Sequence, residues 1–165
     1  MKFNQLYQLM CENFGNNQEL LPTTKFSDLQ NINTLKVYRS SARENKVGYE
    51  SGSHAGTKQQ ALIRADYMVN DEEKYEKYFL YELVIDLGRV YPKLLPDDGT
   101  DHGYDYTLDL IDQYDIAFYK NTGEGDIRNE NLSIIIINPE SIKSDKMVMV
   151  LTKEYLLSVQ NDLYK

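Results

Sequence analysis

Residues 114–125 have the sequence YDIAFYKNTGEG, in which an apolar stretch runs into a turn that carries a carboxylate between two glycines. The stretch Ile116 to Lys120 predicts a β-strand, and Gly123 and Gly125 predict the turn after it. The spacing alone favours the interpretation of Glu124, between the glycines, as an exposed turn residue.

The stretches on either side predict a mixed α+β domain. Strands are expected at Leu35–Ser40, Phe79–Leu87, Ile116–Lys120, Leu132–Ile137 and Met147–Leu151, and helices after Thr57, around Asp71–Lys77, within Tyr106–Gln113 and at Glu154–Tyr164. The residue types of Phe79–Leu87 alternate too weakly for a half-exposed strand, which predicts a central one. The connection Ala42–Ser53 is polar and is expected to be a loop.

The first 33 residues are expected to form a helical extension that packs on this domain, giving a single domain over residues 1–165. Apolar side chains recur at helical spacing before Gly15, namely Phe3, Leu6, Tyr7, Met10, Cys11 and Phe14. Cys11, on this stripe, is interpreted as a buried structural thiol. Residues Asn16 to Asn33 are polar and predict a loop with a short helical turn near Phe26–Leu29.

The charge of the chain is concentrated in one segment. The 165 residues contain 26 acidic and 18 basic side chains, a net charge of −8. Seven aspartates and no Lys or Arg lie between Asp97 and Asp115, which argues against tight, non-specific nucleic-acid binding. The segment is interpreted as a solvated acidic loop and helix, or alternatively as a surface that docks on a basic partner or imitates a nucleic-acid backbone.

Few residues are available for disulfides or metal sites. One cysteine excludes an internal disulfide and a cysteine-based zinc site, and two histidines, His54 and His102, exclude a multi-histidine site within one chain. No apolar run approaches the roughly 20 residues of a membrane span, and the N-terminus lacks an apolar signal-peptide core. A reducing cytoplasm is therefore the expected compartment, with no metal and no membrane contact.

Two stretches carry residues suited to binding an anion. In the stretch Ser53 to Thr57 (SHAGT), Gly56 allows a close approach of the backbone, and Thr57 opens a helix whose N-terminus favours a phosphate. Thr57 and Gln60 also form the T-x-x-Q pattern of a capping box. His54 can donate a hydrogen bond to the same ligand, or it is a structural residue beside the cap.

Arg39 is the second anion-binding candidate. In the predicted strand it shares a face with Leu35 and Val37, the face expected to be buried. A buried arginine needs a partner. That partner is either a carboxylate of this chain, in a structural ion pair, or an anionic ligand.

Taken in order, these stretches resemble the ADP-ribosyltransferase superfamily, in particular compact members found in phage-encoded and polyvalent proteins. In that family an early strand carries Y-R, an H-x-G-T-like segment opens the next helix, a strand of the form Y-D-x-x-x-Y-x-N leads into a glutamate, and a later strand ends in N-P-x-x-I. The matching residues here are Tyr38-Arg39, His54-Ala55-Gly56-Thr57 with Ala61, Tyr114-Asp115 with Tyr119, Asn121 and Glu124, and Asn138-Pro139 with Ile142. The resemblance covers Leu35 to Lys143, roughly two-thirds of the chain.

The resemblance implies a split β-sheet sandwich with flanking helices that binds NAD as co-substrate in a cleft between two small sheets. It implies that Glu124 is the catalytic carboxylate, which stabilises positive charge on the ribose as nicotinamide leaves. Arg39 would pair with the pyrophosphate, and His54 would contact the ribose or a phosphate beside Gly56 and Thr57. Tyr119 or Tyr67 would stack on nicotinamide.

The expected activity is mono-ADP-ribosylation of a macromolecule. Thr122 stands where many arginine-directed transferases have Glu or Gln, so arginine is a doubtful acceptor. The acidic surface suggests a protein acceptor with a basic face, in a host-cell cytoplasm if the protein is phage-encoded, and a nucleotide or nucleic-acid acceptor stays open. The alternatives are NAD hydrolysis without an acceptor, and a non-catalytic acidic inhibitor or binding module that uses the Asp97–Asp115 segment.

Overall fold

The computed structural model describes residues 18–44, 51–71, 75–96, 109–110, 112–121 and 131–164. These residues form β1 (Gln18–Glu19), β2 (Thr34–Ser41), β3 (Ser53–Ala55), α1 (Lys58–Asp66), β4 (Lys77–Asp86), β5 (Ile116–Asn121), β6 (Asn131–Ile136), β7 (Ile142–Thr152) and α2 (Lys153–Leu163). Two 3₁₀ turns at Phe26–Leu29 and Pro139–Ser141 and a π-helical turn at Tyr67–Asp71 complete the list. The predicted mixed α+β class is confirmed.

The first sheet has the strand order β1-β2-β4-β7. β4 pairs antiparallel with both β2 and β7, which confirms the predicted central strand. β7 is longer than the predicted Met147–Leu151, because it begins at Ile142. Its first half is polar, so apolar patterning does not mark it as a strand, and its pairing with β4 makes it one.

The second sheet has the order β3-β6-β5, with antiparallel pairing throughout. All six residues of β6 are buried. Ile134, in its middle, pairs with Ala55 on one side and with Phe118 on the other. The most apolar run of the sequence is therefore the centre of this sheet, because a strand with neighbours on both edges and layers on both faces contacts almost no water.

Three layers of apolar side chains hold the sheets and helices together. The main core lies between the two sheets and takes alternate residues from their strands, among them Leu35, Val37, Leu83, Ile85, Ile116, Phe118, Ile134 and Ile136. The opposite face of the first sheet packs against α1 and α2, through residues that include Tyr38, Leu80, Ala61, Leu62 and Leu156. A smaller cluster covers the outer face of the second sheet with Leu95, Ala117, Ile135 and Ile137. β4 contributes buried residues to the clusters on both faces of the first sheet, which explains its weak alternation.

The sequence predicted that residues 18–33 form a loop within a helical extension, and the structure differs from this prediction. β1 pairs in parallel with β2, and the Leu20 N–H donates to the Lys36 carbonyl at 2.9 Å. Leu20 and Leu29 are buried in the main core. The predicted turn at Phe26–Leu29 is confirmed as a 3₁₀ turn. The amphipathic helix expected before Gly15, with Cys11, lies outside the described residues.

The helix expected around Asp71–Lys77 is wrong at its C-terminal end. The π-helical turn after α1 ends at Asp71, and β4 already begins at Lys77, where it pairs with Thr152 of β7. Of the helix expected within Tyr106–Gln113, only positions 109 and 110 are described as helical. In the described part of the chain, no helix is long and apolar enough to cross a membrane.

An ion pair fixes the start of β5. Arg89 donates from Nε to Asp115 Oδ2 and from Nη2 to Oδ1, both at 3.1 Å, and the Arg89 N–H donates to Oδ2 at 2.9 Å. Asn138 Nδ2 donates to Oδ1 at 3.0 Å. Gly88 has a φ of 48°, and a Cβ there would lie 2.7 Å from Asp115 Oδ2, so glycine permits this close approach.

These contacts correct the expected acidic surface at one position. Arg89 and then Asn138, which donate to the Asp115 carboxylate, hold its pKa well below its ordinary value. Asp115 therefore stabilises the fold. Asp109 and Asp112 of the same segment are exposed. The other four aspartates, Asp97, Asp98, Asp101 and Asp105, lie outside the described residues.

We expect Asp115→Asn to lower the melting temperature at neutral pH by several degrees, because Arg89 loses its charged partner. A carboxyl whose pKa is lowered by folding stabilises the fold above its unfolded pKa, about 3.9 for Asp, and this stabilisation is lost as the pH falls further. The difference between wild type and variant should therefore shrink below about pH 4. Thermal melts from pH 7 to pH 2.5 measure it, with Asp112→Asn as the control that removes the same charge at an exposed position. A constant difference across this range would contradict the assignment.

Candidate functional site

In the described part of the chain, a pair of backbone hydrogen bonds joins the two sheets. The Tyr38 N–H donates to the Gly56 carbonyl at 2.8 Å, and the Gly56 N–H donates to the Tyr38 carbonyl at 2.9 Å. Ser53–Ala55, the segment just before this bridge, was expected to lie between a loop and a helix start. It is instead a strand, β3, because His54 pairs with Ile135 at the edge of the second sheet. The bridge sets the end of β2 against the turn between β3 and α1.

A pocket of about 60 Å³ lies beside this bridge. It is lined by residues of β2, β3, α1, β5 and β6, among them Arg39, Ser40, His54, Gln60, Arg64 and Tyr119. Three residues chosen from the sequence as ligand contacts, Arg39, His54 and Tyr119, thus lie around one cavity although they belong to three different strands. The volume is well below the about 300–1,000 Å³ that encloses a drug-sized ligand, so the pocket has room for one small group of a larger molecule.

His54 and Tyr119 are linked directly. His54 Nδ1 lies 3.0 Å from Tyr119 Oη, and the two rings meet edge to face with centroids 5.3 Å apart. Asn121 Nδ2 donates to Tyr119 Oη at 3.4 Å and to Ser133 Oγ at 3.2 Å. With Asn121 donating, the Tyr119 hydroxyl can give its own proton to Nδ1, and a neutral His54 then carries its proton on Nε2. The network fixes the His54 ring at the pocket wall.

The structure confirms the predicted capping box at the start of α1, but it does not show the phosphate-binding role that the sequence suggested for this helix start. Thr57 Oγ1 accepts from the Gln60 N–H at 3.2 Å, and the Thr57 N–H donates to Gln60 Oε1 at 2.7 Å. Thr57 is 1% exposed and is not among the lining residues. These two N–H groups are satisfied within the protein, so Thr57 acts as a helix cap rather than as a donor to a ligand.

Gly56 lines the pocket, and its lack of a side chain has a local reason. A Cβ at this position would lie 2.2 Å from Gln60 Oε1 and 3.0 Å from Ser133 Oγ. The space above Gly56 is therefore filled by the carboxamide that caps α1. Glycine at position 56 is therefore required by the close approach of Gln60.

Arg64 is a lining residue that the sequence reasoning missed. It follows Gln60 by four residues, about one helical turn, so both face the same side of α1. The capping-box motif could have indicated it. The motif places Gln60 in the first turn of α1, and a basic residue four positions later lies on the same side of the helix. Arg39, opposite on β2, is half-buried, so β2 leaves the core after the fully buried Val37.

The remaining sequence candidates do not join this group. Tyr67 is 43% exposed in the π-helical turn and does not line the pocket, which leaves Tyr119 as the tyrosine of the two that does. Glu124 lies outside the described residues, as do Thr122 and His102. Among the described residues, no group of three or more His, Cys, Asp or Glu side chains is arranged to hold a metal ion.

Comparisons with protein-family models, with curated protein sequences and with solved structures each gave no match. The functional interpretation of the pocket therefore rests on its own residues and on the motifs of the sequence.

We expect Gly56→Ala to lower the free energy of unfolding by about 1–3 kcal/mol, because the new methyl group displaces Gln60 and leaves the buried Thr57 N–H without its acceptor. Urea denaturation measures the change. In a Gln60→Ala background, where the carboxamide is already absent, the same substitution should cost clearly less. Equal costs in the two backgrounds would show that Gly56 is required for another reason.

Proposed function

We propose that the protein is an NAD-dependent mono-ADP-ribosyltransferase with an ADP-ribosyltransferase-like split β-sandwich fold. One observation carries the proposal: the pocket brings together Arg39, His54 and Tyr119, residues from three separate motifs of the resemblance. These motifs are separated by 14 or more residues along the chain. Residues that only resembled the family by chance would have no reason to converge on one cavity.

The architecture supports the same proposal. The chain has two small sheets, and the pocket lies at the bridge between Tyr38 and Gly56 where they meet. His54 and Tyr119 lie on the outer face of the second sheet, next to the cluster that covers part of this face, while Arg39 belongs to the first sheet. The pocket therefore takes residues from both sheets.

The residues suit the chemistry of the proposed reaction. The bond between the nicotinamide nitrogen and the ribose breaks, and nicotinamide leaves with the bonding electrons. An acceptor atom forms the new bond to the ribose carbon and gives up its proton to the solvent. Positive charge develops on the ribose in between. In our proposal Glu124 stabilises that charge, Arg39 binds the pyrophosphate, His54 binds a ribose hydroxyl or a phosphate, and Tyr119 packs against a ring of NAD.

The acceptor in this proposal is a protein with a basic face, in a host-cell cytoplasm if the protein is phage-encoded. The competing function, a non-catalytic module that binds through the Asp97–Asp115 segment, is supported less well. Asp115 is engaged by Arg89 and Asn138, and so it is not available to a partner. The pocket also has no role in that function.

We expect the purified protein to release nicotinamide from NAD, and Glu124→Gln to lower that rate by at least about 100-fold, because one charge-stabilising group is worth about that much in a transition state. Chromatographic measurement of nicotinamide, with and without cell lysate, tests this. Glu140→Gln is the control, since Glu140 is an exposed glutamate in the turn after β6.

Release that depends on lysate and is lost in Glu124→Gln identifies a transferase, and release without lysate identifies an NAD hydrolase. Release that survives unchanged in Glu124→Gln removes Glu124 from the catalytic role. No release, together with no shift of the melting temperature by NAD, refutes the proposed function.

A further inference from the structure

The pocket is basic, although the protein as a whole is acidic. Its described lining residues include Arg39 and Arg64, and none of them is Asp or Glu. The chain as a whole has a net charge of −8. Cationic groups collected around one cavity of an acidic protein favour an anionic ligand, because the local field then opposes the overall charge.

Two buried donors in the same wall have no hydrogen-bond partner within the described structure. They are Gln60 Nε2 and Ser40 Oγ. Gln60 is 2% exposed, and its Oε1 accepts from the Thr57 N–H, which fixes the orientation of the amide. Buried polar groups in native proteins nearly always have a partner. A ligand that presents acceptor oxygens would provide one, and a cationic or purely apolar ligand would not.

The two guanidinium groups of the lining belong to different elements. Arg64 belongs to α1 and is exposed, and Arg39 belongs to β2 and is half-buried. An arginine fork matches the oxygens of a phosphate in a bidentate geometry.

We propose that Arg64 is a phosphate-binding residue of this pocket, which acts with Arg39 and the Gln60 amide on the diphosphate of a nucleotide ligand. A phosphate group offers acceptor oxygens to the buried Gln60 and Ser40 donors and a negative charge to the two guanidinium groups. The cavity of about 60 Å³ suits one such group. The nucleotide identity rests on the proposed function, and the phosphate preference rests on the pocket itself.

Calorimetric titration with ADP-ribose, inorganic pyrophosphate and adenosine tests this inference on the full chain. We expect ADP-ribose and pyrophosphate to bind wild type, and Arg64→Gln to weaken both by about 10- to 100-fold, the range for a lost charged hydrogen bond. Arg64→Lys should give an intermediate loss, because lysine keeps the charge and not the fork. Any affinity for adenosine should not change in these variants.

Lys58→Gln is the matched control, since Lys58 is an exposed cation at the first position of the same helix and does not line the pocket. It should change the affinities by less than about twofold, the effect of one distant surface charge. Gln60→Ala removes the buried amide and tests its part: a weaker affinity for pyrophosphate supports it.

If Lys58→Gln and Arg64→Gln weakened the binding of ADP-ribose and pyrophosphate equally, the effect would come from the overall charge of the protein, and this result would overturn the inference. So would unchanged binding in both Arg64 variants, or a wild-type protein that binds neither ADP-ribose nor pyrophosphate. If pyrophosphate binding depends on Arg64 but NAD is not cleaved, the phosphate site stands and the proposed function fails. If NAD is cleaved and Arg64→Gln changes neither KM nor pyrophosphate affinity, the proposed function stands and this inference fails.

Discussion

The functional geometry depends on the pair of backbone hydrogen bonds between Tyr38 and Gly56. Apolar packing in the main core holds the two sheets face to face, but such packing is not directional and leaves their edges unaligned. The bridge aligns them, since it fixes the end of β2 beside the β3–α1 turn with two bonds of 2.8 and 2.9 Å. Because Arg39 follows Tyr38 and His54 precedes Gly56 by two residues, the bridge also determines how these two side chains face each other.

In the turn between β3 and α1, a motif that suggests ligand binding also has a structural role. H-x-G-T is typical of a ligand-binding turn, yet Thr57 and Gly56 are explained by the capping of α1. Gln60 is the residue that connects the two roles: its Oε1 satisfies the helix start and its Nε2 lies buried in the pocket wall. The helix cap therefore positions one wall of the cavity, and the local fold and the site cannot be varied independently.

The sequence predicted the strands that carry apolar residues and missed those that do not. β4, β5 and β6 are marked by apolar stretches, because each contributes buried residues to both faces of its sheet. β1 and β3 have two and three residues, too few for periodicity, and they are strands only because Lys36 and Ile135 supply partners far away in the sequence. In the site, Arg39, His54 and Tyr119 were found through motifs, whereas Arg64 and Ser133 belong to no motif and were revealed only by their position beside the pocket.

The charged residues of the chain occur in two different arrangements, so the net negative charge alone does not describe the surface of the protein. Arg89 neutralises Asp115 at the start of β5, and Lys36 lies within 4 Å of both Glu19 and Glu82 across the first sheet, at 3.7 and 3.8 Å. These pairs set strand positions. The described residues that line the pocket include two arginines and no carboxylate, so the local charge there is opposite in sign to the net charge of the chain. Such a local field favours an anion over a cation, whatever the sign of the whole protein.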